Sequence, residues 1–423
     1  MHNDFLREHD IAFTGNFDGD VVSAEGISIT TSEGKLYRNY NEITSMLGQN
    51  HKVFIERMTA AMQRGIYTPV RGYEAGKVAL FQKLLRLTQG DFQKIFLSAS
   101  GSEAIEWAVR IARNYTGRNE VVAFSGSLHG RTYMAACLSG ISRRKFGLGV
   151  QAPGILHVEY PSCHHCYLNL ESATCQMACL KDMTRKLSYQ ASEVPAAIVI
   201  EPFTGSTGMA VLPNGYLKAL RAWADERGVL LIFDEIQTAF GKTGDMFMYQ
   251  REGAIPDLLV LGKALGNGFH IAALMAQAKT LANLDGTILA GGTGSNPIAV
   301  EAANAVIDIL ETEQWLAHVK RIEAIMKPAL ERWCRDYLIV DNYRGFGVVY
   351  GIAFADRSSD SGGVSGKPLA AAEVVSRAKT HGLLLGRSGN VLFFRPAICV
   401  TKEEAQLFID VVAHIIEEMS NCF

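Results

Sequence analysis

Short unbroken apolar runs alternate with longer stretches whose apolar residues recur every three or four positions. Lys94–Ser98 (KIFLS) leads into residues 102–115, where Ala104, Trp107, Ala108 and Ile111 fall at helical spacing. Val121–Phe124 is a short strand candidate before a Gly-rich turn, and residues 196–200 (AAIVI) end at Glu201-Pro202. Residues 217–227 read as a helix and 229–233 as a buried strand, with Leu258–Leu261 and residues 271–275 following. Pro297 opens a helical stretch over 298–312, read as the crossing into a second, smaller domain. Residues 21–31 carry strand signals, and 358–366 (SSDSGGVSG) have the composition of a surface loop.

The strand runs are continuous rather than alternating, so both their faces are expected to be covered. That predicts an α/β fold with a mostly parallel central sheet, helices on both faces, and a smaller α+β C-terminal domain. The expected division is 1–45 joining the small domain, 46–300 as the large domain and 301–423 as the small one. Ligands in such sheets sit beyond the carboxyl ends of the strands.

Composition narrows the class. With 423 residues, 48% of them hydrophobic, the chain has material for a large core and roughly two domains. A net charge of −2 argues against nucleic acid or an anionic membrane as partner. The opening MHNDFLREHD lacks the apolar core of a signal peptide, and no apolar run approaches the ~20 residues of a span. Eight cysteines in a chain this long do not suggest a secreted disulfide scaffold. The expectation is a cytoplasmic enzyme.

The chemistry concentrates in residues 230–275. Asp234 ends one apolar run and Lys263 lies just past another. A lysine among small and apolar residues at a strand end is partly desolvated, which favours the neutral amine needed for imine chemistry. A carboxylate at the buried end of a central strand needs a partner, and a pyridinium N–H is one. Gly101-Ser102 opens a helix, where free N–H groups and the helix dipole favour an anion. Lysine, acid and phosphate cradle together point to pyridoxal 5′-phosphate (PLP). Gln237 is placed to reach the ring's phenolic oxygen, whereas Glu235 reads as structural. Each residue alone has a plainer explanation: a surface lysine, a capping acid, a capping serine.

SGSEAIEWAVRIAR, FSGSLHGRT, IVIEPFTG, DEIQTAFGKTG, PDLLVLGKALGNGF and GTGSNPIA occur in an order and spacing that resemble the class III PLP-dependent aminotransferases, 4-aminobutyrate aminotransferase and its relatives among them. The resemblance covers roughly residues 20–420. It implies the PLP-dependent transferase fold type I and a homodimer with shared active sites. It implies Lys263 as the Schiff-base lysine, Asp234 as the pyridinium partner, and Gly101 and Ser102 at the phosphate. Gln237 would lie near the phenolic oxygen, His129 and Glu201 beside the cofactor, and Thr293 would reach the phosphate from the partner subunit. Arg131, in HGRT, matches a position that binds a distal substrate carboxylate. Tyr67, Arg71 and Tyr73 lie in YTPVRGYE, a loop that in the family approaches the partner subunit's site, and read as substrate-pocket or ordinary interface residues.

Departures from the family pattern bear on substrate. Leu128 stands where an aromatic residue stacks on the ring, forfeiting a contact of ~1 kcal/mol. Ser206 replaces the glutamate that pairs with a second arginine, and Phe393 takes that arginine's place, with Arg395 two residues on. Strand alternation keeps 393 and 395 on one face. GTGSNP is one residue shorter than the common form. These changes argue against a standard 4-aminobutyrate/2-oxoglutarate pair.

Cys163, Cys166, Cys175 and Cys179 form a C-x2-C-x8-C-x3-C cluster that suits zinc or an iron–sulfur centre, or is only a group of reduced thiols. The expected activity is transfer of an amino group from a small amine or amino acid to a 2-oxo acid. The nearest alternative is an amino-acid racemase or epimerase on the same scaffold, and the remote one a non-catalytic metal-binding or redox-sensing protein.

Overall fold

The computed structural model describes residues 9–10, 19–65, 74–164, 166–284, 296–355 and 369–421. They cluster into two compact units, one from residues 56–316 and one from the chain ends, 1–55 with 317–423.

The large unit is built on a seven-stranded sheet. Its strands are β1 (Lys94–Ser98), β2 (Val121–Phe124), β3 (Ile155–Val158), β4 (Ala197–Ile200), β5 (Leu230–Asp234), β6 (Leu258–Leu261) and β7 (Ala272–Ala276). The spatial order is β1-β7-β6-β5-β4-β2-β3. Strands β6, β5, β4, β2 and β3 pair in parallel, while β7 runs antiparallel to both its neighbours. Every residue of β2, β4, β5, β6 and β7 is buried, as continuous apolar runs require. Val199, Ile232 and Val260 pack in one cluster with Ile105, Val109 and Ile111 of the helix Gly101–Thr116. The intervening Ile198, Leu231 and Leu259 are equally buried, so the sheet is covered on both faces. At ~1.5–3 kcal/mol for each large apolar side chain, this burial is the main force fixing the helix against the sheet.

That helix has explicit stops. Ser100 Oγ accepts from Glu103 N at 3.2 Å, and Glu103 Oε2 accepts from Ala99 N at 3.0 Å. Gly117 ends it at φ +68°, its N–H bonding Arg113 O.

The second unit holds a four-stranded antiparallel sheet ordered Val340–Phe346, Val349–Phe354, Val391–Phe394, Gly386–Ser388. A second sheet joins Val21–Glu25, Ser28–Thr31 and Leu36–Asn39 to Leu383–Leu384. Tyr40, Phe394, Phe408 and Trp333 pack together, and Tyr40 Oη donates to Glu404 O at 2.7 Å. The divisions differ from the sequence-based ones. The helix Pro297–Thr312 lies inside the large unit, where Asp308 bonds Lys83 at 2.7 Å and Arg57 at 2.6 Å. The crossing falls at 316/317. Residues 358–366 lie outside the described residues.

Candidate active site

Parallel pairing brings several strand ends to one edge of the sheet. Asp234 closes β5 opposite Val260 of β6, and Lys263 follows β6 by two residues. Asp234 is buried, and both carboxylate oxygens are engaged. Oδ1 accepts from Ile236 N at 3.1 Å and Oδ2 lies 2.9 Å from His129 Nδ1. A buried carboxylate so held is oriented as well as compensated. His129 is fixed from behind, its N–H donating to Ser139 Oγ at 3.0 Å. Its Nε2 is buried and meets no hydrogen-bond partner among the described residues; Ser127 Oγ shares that condition.

Glu201, one residue past β4, is the second buried acid. Its Oε1 accepts from Leu128 N at 2.7 Å and its Oε2 from Gly205 N at 3.1 Å. Burial, and next the negative charge of Asp234, push its carboxyl up to about 7, with His129 opposing. Leu128 is half-buried on the same loop as His129.

Lys263 opens a 3₁₀ turn, Lys263–Gly266, at φ +41°. A non-glycine residue in the left-handed region carries backbone strain, a feature concentrated at functional sites. Ile236 packs between strand ends. A Cβ on Gly101 would stand 2.4 Å from Ile236 Cδ1, and one on Gly262 would stand 3.5 Å from Ile236 Cγ2. Gln237 Nε2 donates to Ser206 Oγ at 2.9 Å and covers Gly205, where a Cβ would come within 2.5 Å of it. Gly101 and Ser102 lie in the helix's first turn, whose N–H groups lack intrahelical acceptors. Ser102 Oγ accepts from Arg131 N at 3.1 Å.

The residues 12–416 match the family model described as Aminotransferase class-III. The chain belongs to the class III aminotransferases. A 5-aminovalerate aminotransferase from Pseudomonas putida is 35% identical over 353 residues, covering 82% of this chain and 79% of that one. A leucine/methionine racemase from Thermococcus litoralis is 28% identical over 405 residues, covering 94% and 90%. Among solved structures, the taurine:2-oxoglutarate aminotransferase from Bifidobacterium kashiwanohense, in complex with PLP and glutamate, shares the fold at a TM-score of 0.90. It is 22% identical and covers 99% of this chain and 98% of that one.

The enzyme is thus a PLP-dependent aminotransferase of fold type I, taking an amine donor and a 2-oxo-acid acceptor. The residues fit that cofactor. An oriented carboxylate, a lysine at the adjacent strand end, and a helix start with spare N–H groups share one edge of the sheet.

This aminotransferase carries two further arginines singled out by the sequence. Arg131 is exposed and follows Gly130, where a Cβ would meet Ser102 Oγ at 2.5 Å. Arg395 belongs to the second unit. Its Nε donates to Asn41 Oδ1 at 2.6 Å, and its guanidinium lies 4.4 Å from the Phe393 ring centroid. Burial lowers it to about 10, with Glu42 opposing. Thr293, Tyr67, Arg71 and Tyr73 lie outside the described residues.

Cys163, Cys166, Cys175 and Cys179 line one cavity. Among the described residues no three Cys, His, Asp or Glu side chains are grouped to hold a metal. Cys163 Sγ donates instead to Ser172 Oγ at 3.4 Å, and Cys175 Sγ to Ser172 O at 3.8 Å. Burial pushes the Cys179 thiol up to about 11.

Sequence reasoning missed Ile236, Ser139 and Gly205. None carries a chemical signal. A serine ten residues past His129 becomes visible as its anchor only once the turn is folded.

Proposed function

We propose that Lys263 carries the cofactor and that Asp234 pairs with its ring nitrogen, in an enzyme that moves an amino group from a small amine or amino acid to a 2-oxo acid. The observation that supports these roles most is the pair of donors on Asp234. With both oxygens engaged, its charge is aimed at one place beyond β5. When bound, PLP supplies the electron sink for the substrate carbon next to nitrogen. Lys263 Nζ takes the proton from that carbon and later redelivers it. Asp234 keeps the proton on the ring nitrogen, and His129 keeps Asp234 oriented. Gly101 and Ser102 N–H groups receive the phosphate, with Thr293 of a partner subunit expected there too. Leu128 covers the ring, and Gln237 serves the phenolic oxygen. Arg131 and Arg395 are the candidate carboxylate binders. A homodimer and a cytoplasmic setting complete the proposal.

The amino donor follows partly from relatives. A 5-aminovalerate aminotransferase and a diaminobutyrate–2-oxoglutarate aminotransferase bear names with amines remote from a carboxylate. In this chain Ser206 takes the place of the switching acid and is bonded to Gln237, so no carboxylate stands there to neutralise and release a second arginine. Candidate amines are added to the yellow holoenzyme without an oxo acid. Stoichiometric loss of the visible band, restored by a 2-oxo acid, supports transamination.

The Ser206 substitution also favours a second reading, racemisation, because a racemase needs no second, differently shaped substrate. A relative bears that activity in its name. Loss of optical activity from a single enantiomer, with the visible band intact, would select it.

A further inference from the structure

Glu201 does not enter the proton transfers above, yet it is buried at the end of β4 beside Asp234. Its two oxygens go to two different loops. One loop carries Leu128 and His129, the second bonded to Asp234. The other carries Gly205 and Ser206, packed on and bonded to Gln237. We propose that Glu201 is a positioning residue, a two-armed clamp that sets the ring-covering loop and the Gln237 loop in register around Asp234. The proposal rests on the site assigned above.

Backbone N–H donors cannot change identity, so the strength of the clamp depends on the acceptor. A carboxylate accepts from both loops as an anion, and charge-assisted bonds are roughly twice as strong as neutral ones. The charged or titratable groups facing Glu201 are Asp234 on β5, His129 on the Leu128 loop and Tyr160 after β3, whose hydroxyl donates to Glu201 O at 2.9 Å. Burial and Asp234 raise the Glu201 carboxyl to about 7. The clamp therefore tightens as pH rises through neutrality and slackens below it.

The experiment uses the holoenzyme. In wild type, hydrogen exchange of the Leu128 and Gly205 amides, corrected for intrinsic rate, is followed from pH 5.5 to 8.5. Protection of both is expected to rise about fivefold together across neutrality. Glu201→Gln turns one arm into a donor facing a donor. It is expected to weaken PLP binding about tenfold and to abolish the neutral limb of the kcat/KM profile. A merely structural glutamate would lower the melting temperature and leave that limb in place. Protection that stays flat with pH, or a variant with unchanged PLP affinity and unchanged limb, overturns the clamp. Because the exchange measurement needs no variant, a misfolded Glu201→Gln leaves the question decidable. Failure of the site itself reads differently: Lys263→Ala would then keep turnover, whatever the two amides do.

Discussion

Lys263 is held in the left-handed backbone region directly after a fully buried strand, with small or apolar residues on either side. A lysine is not chosen for that conformation by propensity, since glycine or asparagine would adopt it at less cost. The proposed role of its amine accounts for its presence there. Lys263→Ala keeps the Cβ and hence the strain, so the melting temperature of the apo-protein is expected to change little, while turnover falls ~10²–10⁴-fold or more. Thermal melts with steady-state rates check both halves. Asp234→Asn is the complementary change. His129 Nδ1 and Ile236 N both donate to Asp234, so an amide must turn its own donor toward one of them. The charge proposed to face the ring nitrogen is also lost. A cost of ~1–3 kcal/mol, or ~5- to 150-fold in PLP affinity, is expected by absorbance titration.

At the scale of elements, the helix Gly101–Thr116 is anchored twice: by apolar burial along one face and by close approach at its first residue. A methyl group on Gly101 would drive into Ile236 Cδ1, and the Cγ2 of the same side chain lies toward Gly262 beside Lys263. Gly101→Ala should therefore cost ~1–3 kcal/mol by overpacking and displace the turn proposed to hold the phosphate. Chemical denaturation and a PLP titration on the same variant measure the two effects. The central sheet was legible beforehand because continuous apolar runs such as LLIF and LLVL admit few other placements. Asp234 and Lys263 stood out because each breaks such a run at its end. The long-range side-chain contacts were hidden. Glu201 reaches Leu128 across 73 residues and Arg395 reaches Asn41 across 354, and such pairings follow from topology. The antiparallel β7 was hidden for the same reason: a buried strand's apolar run carries no direction. The cysteine spacing left zinc, an iron–sulfur centre and reduced thiols all open, since spacing along the chain does not fix where the sulfur atoms point.

For the molecule as a whole, pH enters through acids with opposite signs, one half-buried and one buried. Asp308 is lowered: burial, which raises it, is outweighed by Lys83 and then Arg57. Its contribution is present above the ordinary carboxylate range and is lost as pH falls. Glu235 behaves the other way. It is fully buried, and burial raises its carboxyl to about 7 despite hydrogen bonds from Met248 N, Tyr249 N and Thr238 Oγ1. The folded state thus binds a proton that the unfolded chain has released above its ordinary value of 4.5. Its stabilisation is complete below that value and is lost as pH rises through about 7, by linkage on the order of a few kcal/mol. Glu235→Gln cannot titrate. It should be less stable than wild type at pH 5, where its amide meets the Met248 and Tyr249 donors at a cost of ~1–3 kcal/mol. The gap should close by pH 8. Subtracting the two denaturation profiles cancels Asp308 and every other acid that titrates alike in both proteins, leaving Glu235 alone. A difference that stays constant from pH 5 to 8 would mean that Glu235 is ionised throughout, with its three hydrogen bonds outweighing its burial.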